Sequence, residues 1–273
     1  MNEAKDTEWG KKHDYPNIKT IDQFKQKVPI QDYDTIKPFI EKLMKGEQNV
    51  LWPSEIRWFA KSSGTTSDKS KFIPVSKEAL DGCHYKGGKD LMAMYCHNNP
   101  NTQVFSGKGL VMGGSHQVNK LNDKAKYGDV SAVMMQNMPW IAQLIKTPNL
   151  SIALMEEWEE KIDKMARKTM QQNVTQIAGV PSWTLVLFRK IFELTGKTDI
   201  SEVWPNLELY IHGGVSFEPY REQYKKGDFL TYHELCGNLQ CLRRFLLHPG
   251  QTGRAGYAAD VRSVSYTHLT LPT

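Results

Sequence analysis

Between residues 109 and 226, short apolar runs alternate with stretches of helical period. That alternation is the strongest constraint on the fold, because it specifies an α/β class. Gly109–Met112 reads as a short buried strand ending at Gly113-Gly114. Ile152–Gln172, rich in Glu, Lys and Met, reads as a helix, and Val174–Val180 as a strand. Pro181 suits the first turn of a further helix carrying Trp183, Leu185, Val186, Phe188, Ile191 and Phe192. Leu207–Ile211 is another apolar strand, ending in His212-Gly213-Gly214, and Phe217–Lys226 is helical again. The earlier part is mostly helical. Ile36, Phe39, Ile40, Leu43 and Met44 recur at helical spacing, so Asp34–Lys45 is an amphipathic helix that stops at Gly46. Ser76 caps a helix running through Leu80 and Leu91–Tyr95, with Gly87-Gly88 weakening its middle.

Composition removes several function classes. A chain of 273 residues holds one large domain or two small ones. The net charge of +5 is mild, and no Lys/Arg block has the density of a nucleic-acid or membrane patch, so neither partner is expected. No apolar run approaches the roughly 20 residues that span a bilayer. The polar N-terminus does not read as a secretory leader. Cys83, Cys96, Cys236 and Cys241 match neither zinc spacing nor a disulfide framework, which implies free thiols in a reducing cytoplasmic setting. The eight histidines lack paired metal-ligand spacing. No feature of the text sets an oligomeric state.

The segment Lys61-Ser-Ser-Gly-Thr-Thr-Ser-Asp-Lys-Ser-Lys71 carries the chemistry. Small residues leave backbone N–H groups unshielded, so such a loop can turn them toward an anion. Ser62, Ser63, Thr65 and Thr66 add hydroxyl donors around Gly64, and Lys69 or Lys71 supplies positive charge. Together they suit a polyphosphate. The GxxxxGK[ST] loop does not fit, because Lys69-Ser70 comes one position too early after Gly64 and the second glycine is missing. A Ser/Thr linker is the alternative reading of the same residues. The apolar flanks Trp58-Phe59-Ala60 and Phe72-Ile73-Pro74-Val75 argue against it.

Ser62-Ser-Gly-Thr-Thr-Ser-Asp-Lys-Ser-Lys71 resembles the phosphate loop of adenylate-forming enzymes. Five motifs narrow the resemblance to the Gretchen Hagen acyl acid amido synthetases. They are Phe59-Ala-Lys-Ser-Ser-Gly-Thr-Thr66, Lys71-Phe-Ile-Pro-Val-Ser76, Ala178-Gly-Val-Pro-Ser-Trp183, Trp204-Pro-Asn-Leu-Glu-Leu209 and Ile211-His-Gly-Gly-Val-Ser-Phe-Glu-Pro-Tyr-Arg221. Plant members of that family conjugate hormones such as auxin or jasmonate to amino acids. The likeness covers residues from about Asp6 to Lys226. Asp68 departs from it, standing where the loop commonly has glycine.

The resemblance implies the large N-terminal domain of an adenylate-forming enzyme, with mixed sheets flanked by helices. It implies two substrates besides Mg2+ and ATP, a small-molecule carboxylic acid and an amino acid. The acid attacks the α-phosphate of ATP, and the amine then attacks the resulting acyl-adenylate. By the same resemblance Ser62, Ser63, Gly64, Thr65 and Thr66 cradle phosphates, with Lys71 as catalytic cation. Gly213, Gly214 and Val215 seat adenine, since glycine lets a flat base approach the backbone. Met112, Val180 and Trp183 either line the acyl pocket or pack in the core, and packing is the simpler reading. An acyl-CoA ligase of the same superfamily and a non-catalytic nucleotide-binding fragment are the alternatives.

After Lys226 the text changes character. The family's next strand carries Tyr-Asn-Ala-Ser-Glu-Gly, whose glutamate helps hold magnesium. Here residues 227–260 contain no such motif and no clean periodicity. Leu235–Gly250 can be encoded so that reading one base later spells Tyr-Val-Glu-Thr-Tyr-Asn-Ala-Ser-Glu-Gly-Phe-Phe-Cys-Ile-Gln. The same displaced frame extends back to Gly227 and on to Asp260. A slip at Lys225-Lys226, whose codons can form an A run, accounts for both readings. Residues 1–226 are therefore expected to be a partial adenylation domain and 227–260 an out-of-frame segment. Residues 261–273 are expected to be a foreign tail, and the family's C-terminal lid domain is not in this text.

Overall fold

A computed structural model describes residues 1–61, 71–113, 118–213, 217–226 and 234–237. Along the first half run α1 (Glu8–Lys12), α2 (Ile21–Lys27), α3 (Tyr33–Met44), β1 (Trp58–Lys61), β2 (Phe72–Val75), α4 (Lys77–Ala79), α5 (Lys86–Asn98), β3 (Lys108–Val111), β4 (Asn119–Lys120), β5 (Lys126–Gly128) and α6 (Val130–Gln136). There follow α7 (Trp140–Leu144), β6 (Lys146–Thr147), α8 (Leu150–Ala153), α9 (Trp158–Thr169), β7 (Val174–Gly179), α10 (Pro181–Thr195), β8 (Leu209–His212), α11 (Arg221–Lys226) and β9 (Glu234–Gly237). The chain forms two compact units, described separately. One holds residues 1–61, 71–89 and 118–134. The other holds 90–113, 135–213, 217–226 and 234–237.

In the first unit the sheet order is β2-β1-β5-β4. Strand β1 runs antiparallel to β2 and parallel to β5. Successive side chains of a strand point to opposite faces, and both faces of β1 are covered. Phe59 is buried with Ile40, Leu43, Val50, Ile56 and Ala125, whereas Ala60 is buried with Val75, Leu80 and Val133. Helix α3 follows the expected apolar spacing, burying Ile40 and Leu43. Its start is fixed by Asp32, whose side chain accepts from the Thr35 N–H at 2.8 Å. Its end is followed by Gly46 at φ +95°, a conformation that favours glycine. The Phe72 N–H donates to the Tyr33 hydroxyl at 2.8 Å, tying α3 to β2. Ser76 caps α4 as expected, accepting from the Ala79 N–H at 3.1 Å. The irregularity in this helix falls earlier than the Gly87-Gly88 pair, as a π-helical stretch over Leu80–Tyr85.

In the second unit five strands lie in the order β6-β3-β7-β8-β9, all parallel. The core against this sheet includes Leu110, Ile162, Met165, Ile177, Leu187, Phe188, Ile191 and Trp204. Helix α10 begins with Pro181, as expected, and is followed by Gly196 at φ +69°, a stop the sequence reading did not single out.

Three expectations are corrected here. The helix read over Ile152–Gln172 is two helices, α8 and α9, and the residues between Ala153 and Trp158 are not helical. No glycine or proline marks the break. It is a tertiary feature, with Ile152 packed against the same core as α9. Phe217–Lys226 opens as a 3-10 turn over Glu218–Tyr220 before α11. The segment after 226, read as lacking strand periodicity, contributes β9, which pairs in parallel with β8 through Leu209–His212. Parallel pairing uses backbone groups alone, so an edge strand can form without alternating side chains.

Candidate functional site

After β3 the chain moves to β6 on one side, then returns to β7 on the other side of β3. The connections therefore diverge between β3 and β7. In an open parallel sheet, ligands bind outside the carboxyl ends of the strands at such a switch point. Here those ends are Met112-Gly113 after β3 and Gly179-Val180-Pro181 at the passage from β7 to α10. The Met112 N–H donates to the Ala178 carbonyl at 2.9 Å, which closes the pair of strands at this edge. A side chain at position 179 would place its Cβ 2.9 Å from Met112 Cβ and 3.2 Å from Thr184 Oγ1. Glycine is needed there because β3 and α10 approach too closely for anything larger.

The turn from β7 into α10 is held by three hydroxyls. Tyr210 donates to the Gly179 carbonyl at 3.2 Å, Thr184 to the Val180 carbonyl at 3.1 Å, and Tyr224 to the Pro181 carbonyl at 2.8 Å. The three side chains cluster, with Tyr210 Oη 3.1 Å from Thr184 Oγ1 and 3.3 Å from Tyr224 Oη. Each hydroxyl has one proton to give, so three protons serve three successive carbonyls. Burial pushes the Tyr210 hydroxyl up to about 12, and burial together with Tyr210 raises Tyr224 further, so both remain donors. The end of β3 is held by a side chain of α9. Lys161, fully buried on α9, donates from Nζ to the Gly113 carbonyl at 3.2 Å.

His212 ends β8, and Gly213 follows it. The His212 ring packs 4.5 Å from Phe217, and Arg221 lies 5.8 Å from the Phe217 ring. Burial first, and then Arg221, lower the His212 pKa below its ordinary value. The unfolded chain therefore takes up a proton more readily than the folded one. The stability this group supports is complete above about pH 6.5 and is lost as pH falls through the lowered folded value. Thermal midpoints should drop between pH 7.5 and 5, and His212→Gln should flatten that slope. An unchanged slope would remove His212 from the account.

The expected site residues divide into those described and those not. Ser62, Ser63, Gly64, Thr65 and Thr66 lie outside the described residues, as do Gly214 and Val215. Lys71 immediately precedes β2, with its Nζ 5.5 Å from the Tyr33 ring centroid at the start of α3. It also helps hold the Asp32 carboxyl below its ordinary value, after the larger effect of the Thr35 hydrogen bonds. Met112 is buried in the second unit's core, and Trp183 packs against that core while contacting Trp158 at 5.5 Å. Val180 is half-buried at the turn. Lys161, Tyr210, Thr184 and Tyr224 escaped sequence reasoning. For Lys161 a signal was present, since it sits on the apolar stripe of Trp158, Ile162, Met165 and Ala166. Among the described residues no cluster of three His, Cys, Asp or Glu side chains could hold a metal ion.

Sheet order and strand-end geometry give the second unit an open parallel sheet flanked by helices, with a switch point between the carboxyl ends of β3 and β7. Residues 1–227 match the GH3 family N-terminal domain, and the chain belongs to that family. A 64-residue stretch is 38% identical to indole-3-acetic acid-amido synthetase GH3.17 of Arabidopsis thaliana, covering 23% of this chain and 10% of that protein. A 59-residue stretch is 37% identical to the 4-substituted benzoates-glutamate ligase GH3.12 of the same plant, covering 21% and 10%. The fold is that of AtGH3.15 acyl acid amido synthetase, solved in complex with 2,4-DB. The TM-score is 0.67 at 14% identity, over 86% of this chain and 49% of that one. The chain thus spans about half the length of that solved relative. Among the described residues no helix is long and apolar enough to cross a membrane.

Proposed function

We propose that this chain binds Mg·ATP, and that its parent protein is an ATP-dependent acid–amino acid ligase working through an acyl-adenylate. The observation that carries this reading is the family match over residues 1–227, whose named relatives include amido synthetases and a benzoate–glutamate ligase. Those names favour an amine over coenzyme A as the second nucleophile. Ser62, Ser63, Gly64, Thr65 and Thr66 hold the phosphates, Lys71 adds positive charge, and Gly213, Gly214 and Val215 receive adenine. Magnesium enters with ATP as part of that substrate. A reducing cytoplasmic setting suits the chemistry, and neither Cys83 nor Cys96 forms a disulfide.

In the first step a carboxylate oxygen attacks the α-phosphorus. A P–O bond forms, the bond to the β-phosphate breaks, and pyrophosphate leaves. In the second, an amine attacks the acyl carbonyl and loses a proton, and AMP departs with the electron pair. The protein's contribution is positioning and charge stabilisation. The three-hydroxyl clamp on Gly179, Val180 and Pro181 supports such positioning, since it fixes a turn at the switch point.

Residues 227–260 are read as out of frame and 261–273 as foreign. The family match ends at 227, one residue past Lys226, which supports that boundary. The corrected frame replaces Glu234–Gly237, the residues of β9, with Asn-Tyr-Val-Glu and leads through one threonine into Tyr-Asn-Ala-Ser-Glu-Gly. The tyrosine and valine that replace Leu235 and Cys236 suit a strand, and the glycine at 237, which weakens one, is removed. The test is to resequence the source DNA across Lys225–Gly227. A corrected frame is expected to read through the motif; an unaltered sequence would confine the proposal to nucleotide binding.

A further inference from the structure

Lys146, Gly109 and Gln176 lie in one row across the sheet of the second unit. Gly109 of β3 pairs in register with Lys146 of β6 on one side and with Gln176 of β7 on the other. Register partners share a face, and the next residue of the row, Leu209 of β8, is 0% exposed. This is the face away from α9 and α10, since the alternating neighbours Leu110 and Ile177 are packed in the core with those helices. A lysine on an edge strand ordinarily turns its charge to water. Lys146 instead folds over the sheet. A Cβ at Gly109 would stand 2.9 Å from Lys146 Nζ and 3.2 Å from Gln176 Cδ, so the glycine leaves room for the ammonium beside the amide. Gln176 is 4% exposed. Among the described residues neither head group has a hydrogen-bond or ion-pair partner, and burial lowers the Lys146 pKa with no neighbouring charge to oppose it. Buried polar groups are satisfied as a rule, and a buried ammonium is most costly when unpaired.

We propose that Lys146 and Gln176, over Gly109, form a binding site for a small carboxylate. The ammonium and the amide N–H each donate to a carboxylate oxygen, which satisfies both. The site supplies one positive charge, which a carboxylate neutralises. A phosphate dianion would leave net negative charge in a partly buried place. Gly109 is the second residue of β3, so the site lies toward the amino end of that strand, apart from the carboxyl ends at the switch point. The proposal does not rest on the nucleotide reading.

The test titrates the 273-residue chain with sodium acetate, acetamide and inorganic phosphate at constant ionic strength, following heats of binding and thermal midpoints. Acetate should bind saturably and raise the midpoint by about 2–4 °C, and acetamide should do neither. Phosphate should bind at least about fivefold more weakly than acetate. Lys146→Met should weaken acetate at least about tenfold and Gln176→Leu about fivefold. Gln176→Glu places a carboxylate beside Lys146, so it should abolish the acetate response and raise the midpoint of the ligand-free chain by about 2–4 °C. That variant reads the site whether or not Lys146→Met folds. No saturable acetate binding, tighter binding of phosphate, unchanged acetate affinity in Lys146→Met or Gln176→Leu, or a lowered midpoint in Gln176→Glu each overturns the proposal.

Discussion

With the reading frame corrected, replacing Ser63 and Thr66 together by alanine should lower ATP–pyrophosphate exchange about a hundredfold. The pair supplies two of the four hydroxyls in Ser62-Ser-Gly-Thr-Thr66, the segment read as the phosphate cradle. Hydrogen bonds to a charged phosphate are stronger than neutral ones, and the charge redistributes most in the transition state. The loss should therefore appear in turnover as well as in the apparent affinity for ATP. Thermal unfolding measured in parallel separates a damaged site from a damaged fold. The linker reading of the same segment predicts unchanged exchange, and that result would remove the loop from the site.

Trp204→Ala should cost about 3–5 kcal/mol of stability. Trp204 is 1% exposed, and its indole N–H donates to the Thr169 carbonyl at 2.9 Å, at the last residue of α9. Its ring meets Phe188 of α10 edge-on at 6.1 Å. One side chain thus joins the end of α9, the body of α10 and the approach to β8. A loss of this size corresponds to a midpoint shift of about 10 °C. Trp204→Phe keeps most of the ring and loses the donor, so about 1–2 kcal/mol is expected. Chemical denaturation of the two variants tests the ordering, and equal effects would mean that the hydrogen bond, not packing, dominates.

Much of the fold was legible because local signals and burial agree. Helix α3 has its apolar spacing, its Asp32 cap and its Gly46 stop. Strands β3, β7 and β8 are short, apolar and followed by glycine or proline. What escaped is tertiary. The break between α8 and α9 has no local breaker, and β9 is set by pairing with β8 rather than by its own pattern. The order β6-β3-β7-β8-β9 cannot be read from any window of sequence, yet it is what sets Gly113 and Gly179 at adjacent strand ends. The loop and glycine motifs were read from residue chemistry and resemblance, and all but Lys71 and Gly213 of the residues read there as site residues lie outside the described residues. The clamp of Tyr210, Thr184 and Tyr224 joins positions 14 to 40 residues apart, so periodicity carried no trace of it. Lys161 was visible only as a charge on the wrong side of a helix.

The measurement that tests the central claim most directly is carboxylic-acid-dependent ATP–pyrophosphate exchange, run on the frame-corrected protein and on the 273-residue chain side by side. The account predicts exchange by the corrected protein only when a suitable acid is present, with amide formed once an amino acid is added. It predicts that the 273-residue chain binds Mg·ATP without exchange. A folded, frame-corrected protein that exchanges with no acid tried, or that passes its acyl group to coenzyme A and not to an amine, would contradict it.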